Sequence, residues 1–545
     1  MDVCNPIGSK AGVHKLGMFY YTITNIDPKL RSRLHTIMLL AVVESQYITK
    51  YGIDTILEPF IEEMKALESP DGVPFEINGE TCFLRGALTS VVADNPASNL
   101  LGGFKNLSSA YRKCRHCFAT YESTQTKFTA EEFPARTERI HQKQFKKLKT
   151  PAADVYKVSF GISRNSTLNE LKEFHVTSGL PPDIMHDIFE GVAVVELHCM
   201  LSALIQEYKL FGLAKLNNRI KKFPYGIPDR NNKPLPLPVT YLSKSPTEAL
   251  KQNSSQTWCL LRLLPLIIGD CVPNDNPNWA NFLRLLMLVD YVTAPETTRE
   301  IAGYLRDLIQ DHHTCFKQLY PERRLTPKFH HLVHLPHYII QYGPLVRMWC
   351  MRYEAKHCYF KRWAKITGNY KNIAKSLAVH HQKHICYKLA DAENFLKPPS
   401  TVGPATLCDL DNLSYKDLLT ETCHGISERT IYRVNWVEIM GTTYKPTILV
   451  IVDYYQDVPI FGEIHDIISV DQKFYLATYL FITNGYNPHY HAYEVLKSSN
   501  QFVCEVSSLR DHHPLWVYQS YDIHLIRTFF VPLKYHVMNN IDLRI

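Results

Sequence analysis

The sequence predicts an α+β protein built from several domains. Three observations predict it. The first 97 residues mix aromatic, β-branched runs with an amphipathic helix, residues from about 98 to 395 keep a helical period, and short β-rich runs follow residue 425. With 545 residues the chain is long enough for two to four domains. Its 45% hydrophobic and 21% charged content is that of a folded protein.

The elements follow in order. Residues 16–25 (Leu-Gly-Met-Phe-Tyr-Tyr-Thr-Ile-Thr-Asn) read as a strand, and 35–45 as a strand or short helix. From Thr55 to Glu68, Ile56, Phe60, Met64 and Leu67 recur at helical spacing with acids between them. Glu76–Gly79 marks a turn, and Cys82–Ala93 reads as a buried strand stopped by Asp94-Asn-Pro. Segments 187–209, 245–268, 279–292, 296–319 and 373–396 carry helical apolar faces. Residues 397–424 read as a linker, opened by Lys-Pro-Pro-Ser-Thr-Val-Gly-Pro. Ile448–Tyr454, Phe474–Thr483, His491–Leu496 and Ile523–Val531 then predict a small, separate β domain over 425–545.

The net charge of +7 permits a polyanionic partner without demanding one. Fourteen cysteines scattered through a long chain are unlike a secreted disulfide scaffold. No signal-peptide pattern opens the chain, and the apolar stretch Trp258–Ile268 is short and carries Arg262 and Pro265. These features predict a soluble, reduced, intracellular protein without a membrane segment.

Four constellations bear chemistry. The acids Asp2, Asp94 and Glu354 are of the type that two-metal phosphoryl transfer needs, although three carboxylates among 53 do not by themselves single out a site. Cys114-x2-Cys117 and His330-x3-His334 have the spacing of a tetrahedral zinc set. The 212 residues between the pairs, and the nearby His331 and His337, leave open a reading as core cysteines and a histidine-rich helix. Asp183-x2-His186 follows Pro181-Pro182, so Asp183 suits a helix start as well as a site. In Arg347–Trp363, basic residues alternate with aromatics, and Glu354, His357 and Lys361 share one helical face. That pattern suits a nucleic-acid backbone with base stacking, or an amphipathic helix burying Trp349, Tyr353, Phe360 and Trp363.

In this order the pieces resemble the transposases of the CACTA/EnSpm superfamily, also grouped with Mirage and Chapaev. The matching motifs are Asp2-x2-Asn-Pro-Ile-Gly, Ile56-Leu-Glu-Pro-Phe, Phe83-Leu-Arg-Gly-Ala, Asp94-Asn-Pro-Ala, Lys113-Cys-Arg-His-Cys, Asp183-Ile-Met-His, Pro327-Lys-Phe-His-His-Leu-Val-His-Leu and Arg352-Tyr-Glu-Ala-Lys-His. They cover roughly residues 2–395. The resemblance implies an RNase H-like core over 1–97, with its first strand missing from a chain cut short at its N-terminus. A large all-helical insertion over 98–329 follows, and 330–396 completes the core.

The resemblance makes Asp2, Asp94 and Glu354 the catalytic acids, holding Mg²⁺ or Mn²⁺. It makes Cys114, Cys117, His330 and His334 a structural Zn²⁺ site, as the similar core of the vertebrate antigen-receptor recombinase suggests. Asp94 lies 20 residues before Cys114, and His334 lies 20 before Glu354. Asp183 and His186 match the insertion signature near the active site. Arg352, Lys356, Lys361 and Arg362 are expected to bind DNA. The implied activity is DNA phosphodiester cleavage and strand transfer in the nucleus, by a homodimer on transposon ends and target. The alternative is an inactive or domesticated relic that binds DNA or protein.

Overall fold

A computed structural model describes residues 2–4 (backbone only), 15–106, 109–246, 250–368, 370–391, 395–396, 400–521 and 528–537. The architecture is mixed α+β with a β-rich C-terminal region. The chain divides into two compact units, and each is assembled from separated segments. One comprises residues 1–192 and 297–392, the other residues 193–296 and 393–544. The expected helical insertion, 98–329, is therefore shared between two units, with 193–296 in the second.

The first unit is organised by a three-stranded antiparallel sheet in the order β1 (Asp2–Cys4), β2 (Leu16–Tyr21), β3 (Met38–Glu44). Asp2 pairs with Met18, so a short strand stands where the sequence predicted none. Alternate residues of β2 face opposite sides. Leu16 and Met18, with Leu39 of β3, pack on Phe360, Ala364, Ile373 and Leu377. Phe19, with Ala41 and Val43, packs on the other side against Ile53, Leu57, Ile61, Ala97 and Leu101. Burial on both faces explains the unbroken apolar run. The covering helices are α1 (Ile53–Leu67) and α2 (Asn95–Gly102) on one side, and α5 (Met351–Thr367) and α6 (Ile373–Leu389) on the other. Between them in sequence come α3 (Met185–Val192), wound as a π-helix, and α4 (Pro327–Leu332). This is a helix–sheet–helix sandwich, and every strand pair in its sheet is antiparallel.

The predicted buried strand Cys82–Ala93 is not formed. Val73–Ile77 and Glu80–Leu84 make an exposed hairpin instead, with Phe83 64% exposed. Asn78 and Gly79 both have positive φ, 53° and 84°, the two-residue turn that suits strand twist. That turn captures the first residues of the run. The remainder to Ala93 forms no strand, and Val91 N–H donates to the Gly179 carbonyl at 2.8 Å.

The second unit corrects two boundaries. Ser400–Val402 and Ala405–Cys408, expected as linker, pair with Val437–Ile439 and Ile431–Val434. Gly403-Pro404 separates these two short strands, which is where a sheet tolerates such residues. The helix Lys416–Thr422 buries Leu419 beside Ile468, Val470 and Tyr475. The β region is also not separate from helices. Buried Arg262 pairs with Asp229, which accepts from Tyr518 Oη at 2.7 Å, and His491 Nε2 meets Asp290 at 2.8 Å. The core is an antiparallel sheet with long strands Val458–Val470, Lys473–Asn487 and Ala492–Glu505, and its path is open among the described residues. Part of the predicted strand Ile523–Val531 lies outside the described residues, and Phe529–Val531 is formed.

One stretch among the described residues, Met185–Glu207, is long and apolar enough to cross a membrane, and 83% of its apolar window is buried within the protein. All described cysteines are free thiols.

The buried α6 residue His381 gives a titration signature. Burial first, then the charges of Lys356 and His384, lower its imidazole to about 4. An unfolded histidine protonates near 6.5, so between pH 6.5 and 4 the unfolded chain binds a proton that the folded one refuses. Stability is unaffected above pH 6.5, falls by about 1.4 kcal/mol per pH unit below it, and levels off below about pH 4. Urea midpoints of His381→Phe should decline less steeply than wild type across that window. Parallel declines would refute a neutral His381.

Candidate metal centre and acid cluster

The Cys114-Arg-His-Cys117 segment is a tight knuckle braced by the strand-like residues 134–136. Phe118 N–H donates to Pro134 O at 2.9 Å and Arg136 N–H to His116 O at 2.8 Å. The buried Arg136 guanidinium donates to Cys114 O, Cys117 O and Phe160 O at 2.9, 3.1 and 2.6 Å. Pro327 starts α4 at the position where a missing N–H costs nothing, and α4 delivers His330. His334 follows one turn later.

The four side chains converge, all buried. Cys114 Sγ lies 3.4 Å from His334 Nε2, Cys117 Sγ 3.1 Å from His330 Nε2, and the two Nε2 atoms 3.3 Å apart. A tetrahedron with metal–sulfur bonds of about 2.3 Å and metal–nitrogen bonds of about 2.0–2.1 Å has S···N edges of roughly 3.5 Å and an N···N edge of roughly 3.3 Å. The Cys114–His334 and His330–His334 edges match, and the Cys117–His330 edge at 3.1 Å is about 0.4 Å short of the ideal. His331 stands outside this converging group and turns its Nδ1 to Asp187 at 3.2 Å, and His337 is exposed. The donor charges agree with a cation. Burial raises the Cys114 thiol, but Cys117, His334 and His330 outweigh it and hold it well below its ordinary value. Burial and then Cys114 push Cys117 up. One thiolate is thus favoured and the second opposed until a positive ion compensates both.

A second buried network adjoins the knuckle. Arg115, 1% exposed, donates to Leu180 O at 3.1 Å, Pro181 O at 3.1 Å and Asn95 Oδ1 at 2.7 Å. Asn95 Nδ2 donates to Asp187 Oδ1 at 2.7 Å, and Asp187 also faces His331. Burial opposes the Asp187 charge, but His331, Arg115 and Asn95 outweigh it and hold its carboxyl below the usual range. The residue after Asp94, the residue after Cys114, the residue after His186 and the residue after His330 therefore meet in one chain of hydrogen bonds.

Next to it, Asp183 is buried and reads as more than a cap. Its Oδ2 lies 2.5 Å from His186 Nδ1 and its Oδ1 accepts from Cys350 N–H at 2.9 Å. His186 Nε2 faces Glu354 Oε1 at 3.4 Å and Glu190 Oε2 at 3.9 Å. Burial disfavours a charged His186, but Asp183, then Glu354 and Glu190, raise it to about 9. Lys328 Nζ ties the π turn to α4, donating to His186 O at 2.8 Å and Glu190 O at 2.7 Å. A Cβ on Gly191 would lie 2.4 Å from the Lys328 chain, so this close approach requires glycine.

The structure brings together only part of the predicted acid set. Glu354 faces His186. Asp94 caps α2, accepting from Ala97 N–H at 2.6 Å. Among the described residues, Asp94 and Glu354 fall in no common group of three ligand-bearing side chains, and Asp2, the third expected acid, has its side chain outside them. Of the predicted DNA contacts, Lys361 and Arg362 are exposed. Lys356 is buried at 2% exposure and donates to Leu34 O at 2.5 Å, so it is a structural residue. Arg352 donates to Ser32 O at 2.8 Å. The aromatic residues of this segment are largely internal, Phe360 at 0%.

Sequence reasoning gave no role to Asn95, Arg115 or Lys328 and named Asp187 only as a helix-start acid and His331 only as a neighbour of the zinc set, although each is within one or two residues of one it singled out. It also missed Arg136, which carries no such signal. No protein-family model matches the chain, and no curated protein matches it.

Removing the Arg115 fork should be costly. Arg115→Lys keeps a charge but cannot serve three divergent acceptors, and should lower unfolding stability of this unit by about 3 kcal/mol. Denaturant unfolding followed by circular dichroism measures it; a loss under about 1 kcal/mol would show that the network does not depend on the fork.

Proposed function

We propose that the unit built from residues 1–192 and 297–392 is the core of a cut-and-paste DNA transposase of the CACTA/EnSpm type, with an RNase H-like arrangement. The observation that carries the reading is convergence. Motifs at 94, 114–117, 183–187, 330–334 and 354, widely separated in sequence, lie within one hydrogen-bonded and ion-paired cluster. Chance surface residues would not be so ordered.

In this reading Cys114, Cys117, His330 and His334 hold a structural Zn²⁺, which fixes the ends of the insertion beside the acids. Lys361 and Arg362 contact DNA phosphates from the exposed part of α5. Glu354 acts at the scissile phosphodiester, oriented by His186. The Asp2 side chain lies outside the described residues, so no metal step is assigned to the three acids. Work as a homodimer on paired transposon ends, in the nucleus, belongs to the same proposal. The alternative reading, a relic that binds DNA or protein without cleaving, keeps the same Cys/His set and the exposed Lys361 and Arg362.

Two measurements test this. Elemental analysis should find one zinc per chain, lost in Cys114→Ser together with cooperative unfolding of this unit; a zinc-free, equally stable protein would remove the structural site. In a Mn²⁺-dependent nicking assay on plasmid carrying terminal inverted repeats of the CACTA/EnSpm type, Glu354→Ala should drop cleavage to background. Equal nicking by wild type and variant would end the role of Glu354, and absence of nicking by both would favour the binding-only reading.

A further inference from the structure

We infer that the hairpin Val73–Ile77 and Glu80–Leu84 is a contact through which two copies of this chain join, the Glu80–Leu84 strand of one lying antiparallel to the same strand of the other. The hairpin is a sheet of its own, and neither outer edge pairs with a further strand among the described residues. Phe75, Ile77, Phe83 and Leu84 are all exposed on it. A lone two-stranded hairpin is marginal in water, and three or more strands with an apolar face are what make such a sheet stable. An apolar strand with an open edge is a template for one more strand.

The two edges are not alike. Around the Asn78-Gly79 turn, Ile77 lies opposite Glu80, Phe75 opposite Cys82 and Val73 opposite Leu84. In a ladder closed by a two-residue turn, the pair next to the turn exchanges hydrogen bonds, and alternate residues direct their backbone groups outward. On the first strand these are Glu76 and Pro74, and on the second Thr81 and Phe83. Pro74 has no N–H to offer, so the first edge lacks a donor. The second edge has no proline, no lysine and no bulge, the usual guards of an exposed strand.

That open edge is complementary to itself. A twofold axis normal to the sheet can set Phe83 opposite Phe83 of the second copy, Thr81 opposite its Arg85 and Cys82 opposite its Leu84. The charges agree with this register. Thr81 Oγ1 donates to Glu76 Oε1 at 2.5 Å, so Glu76 lies in the same cross-strand row as Thr81. Arg85 of the second copy extends that row by one strand with the opposite charge, and the axis repeats the arrangement at the other end. Aromatic pairs and opposite charges across a ladder both favour it. The neighbouring register, centred on Cys82, would put Arg85 opposite Gly79 and lose the charge match. The product is a four-stranded sheet with Val73, Phe75, Ile77, Cys82 and Leu84 of both copies on one face. Two edges of 5 residues bury less than the roughly 1,200 Å² of a standard interface, so the dimer is weak and forms as protein concentration rises.

In supplying a contact for the homodimer, the inference rests on the proposed function for its setting, but it is tested without DNA. Sedimentation velocity of the zinc-loaded full chain should show a monomer–dimer equilibrium in the micromolar range. Phe83→Pro removes the two hydrogen bonds exchanged at the axis, and should weaken dimerisation by at least about tenfold while leaving the urea unfolding midpoint unchanged. Arg85→Glu should weaken it too, and adding Glu76→Arg should restore it. Mild oxidation of Leu84→Cys should give a covalent dimer joined through Cys82 and the new thiol, the signature of this register. A wild-type chain that stays monomeric into the tens of micromolar, or a Phe83→Pro variant that dimerises like wild type, overturns the inference. A dimer with this pattern in a chain that fails to nick DNA rejects the transposase reading and leaves the contact standing, and nicking by a persistent monomer does the reverse.

Discussion

The buried guanidinium of Arg115 is the constraint on which the rest of the first unit depends. A cation at 1% exposure is tolerable only when its donors are met. Here three acceptors meet them, from two distant parts of the chain: Asn95 at the start of α2, and the adjacent carbonyls of Leu180 and Pro181 just before the Asp183 motif. Its charge is balanced by Asp187, which Asn95 and His331 also address. The planar fork is what allows one residue to address divergent partners, and a lysine ammonium has no equivalent. Because Arg115 lies between two cysteines, the knuckle cannot shift without disturbing the approach of the acids.

The Cys/His cluster works at a longer range. Cys117 and His330 are 213 residues apart, and joining them closes a loop whose entropic cost grows only slowly with length. A cross-link over such a span removes much freedom from the unfolded chain. The segment 193–296 leaves this unit and returns to it between the two halves of the cluster. A metal ion held by all four side chains would close that loop and tie the two halves of the first unit to one core despite the interruption.

The parts legible in the sequence were those written in local pattern. β2, β3 and α1 appear close to their expected places because burial on both sheet faces gives a continuous apolar run, and a helix face gives a period. The Cys/His ligands were legible through spacing. The hairpin at Asn78-Gly79 was half legible: the turn was marked, but its power to claim the next residues as an exposed strand was not. What failed were properties set by distant partners. Pro-rich sequence at 397–406 looks like a linker whether or not strands Val437–Ile439 and Ile431–Val434 are there to pair with it. Lys356 carries a charge in a basic helix, and only the neighbouring Leu34 carbonyl reveals that it points inward. Asp183 was legible as a helix start or a site, and its buried contacts with His186 and Cys350 distinguish the two.

α5 shows how these constraints combine at Glu354. One side of the helix is committed to the sheet by Phe360 and Ala364, and its first turns are tied to the loop before β3 by Arg352 on Ser32 O, Lys356 on Leu34 O and the Thr22–Tyr353 hydroxyl pair. These contacts set both the rotation and the height of the helix. Its N-terminus is held separately, since Cys350 N–H donates to Asp183. Asp183 also holds His186, which faces Glu354. The buried carboxylate thus positions the start of the helix and the partner of its acid at the same time. A shift of α5 along its axis would disturb both the Cys350 contact and the approach of Glu354 to His186. The acid is placed by a fold-level commitment on one side and a single shared carboxylate on the other, which is why residues remote from Glu354 in sequence govern its geometry.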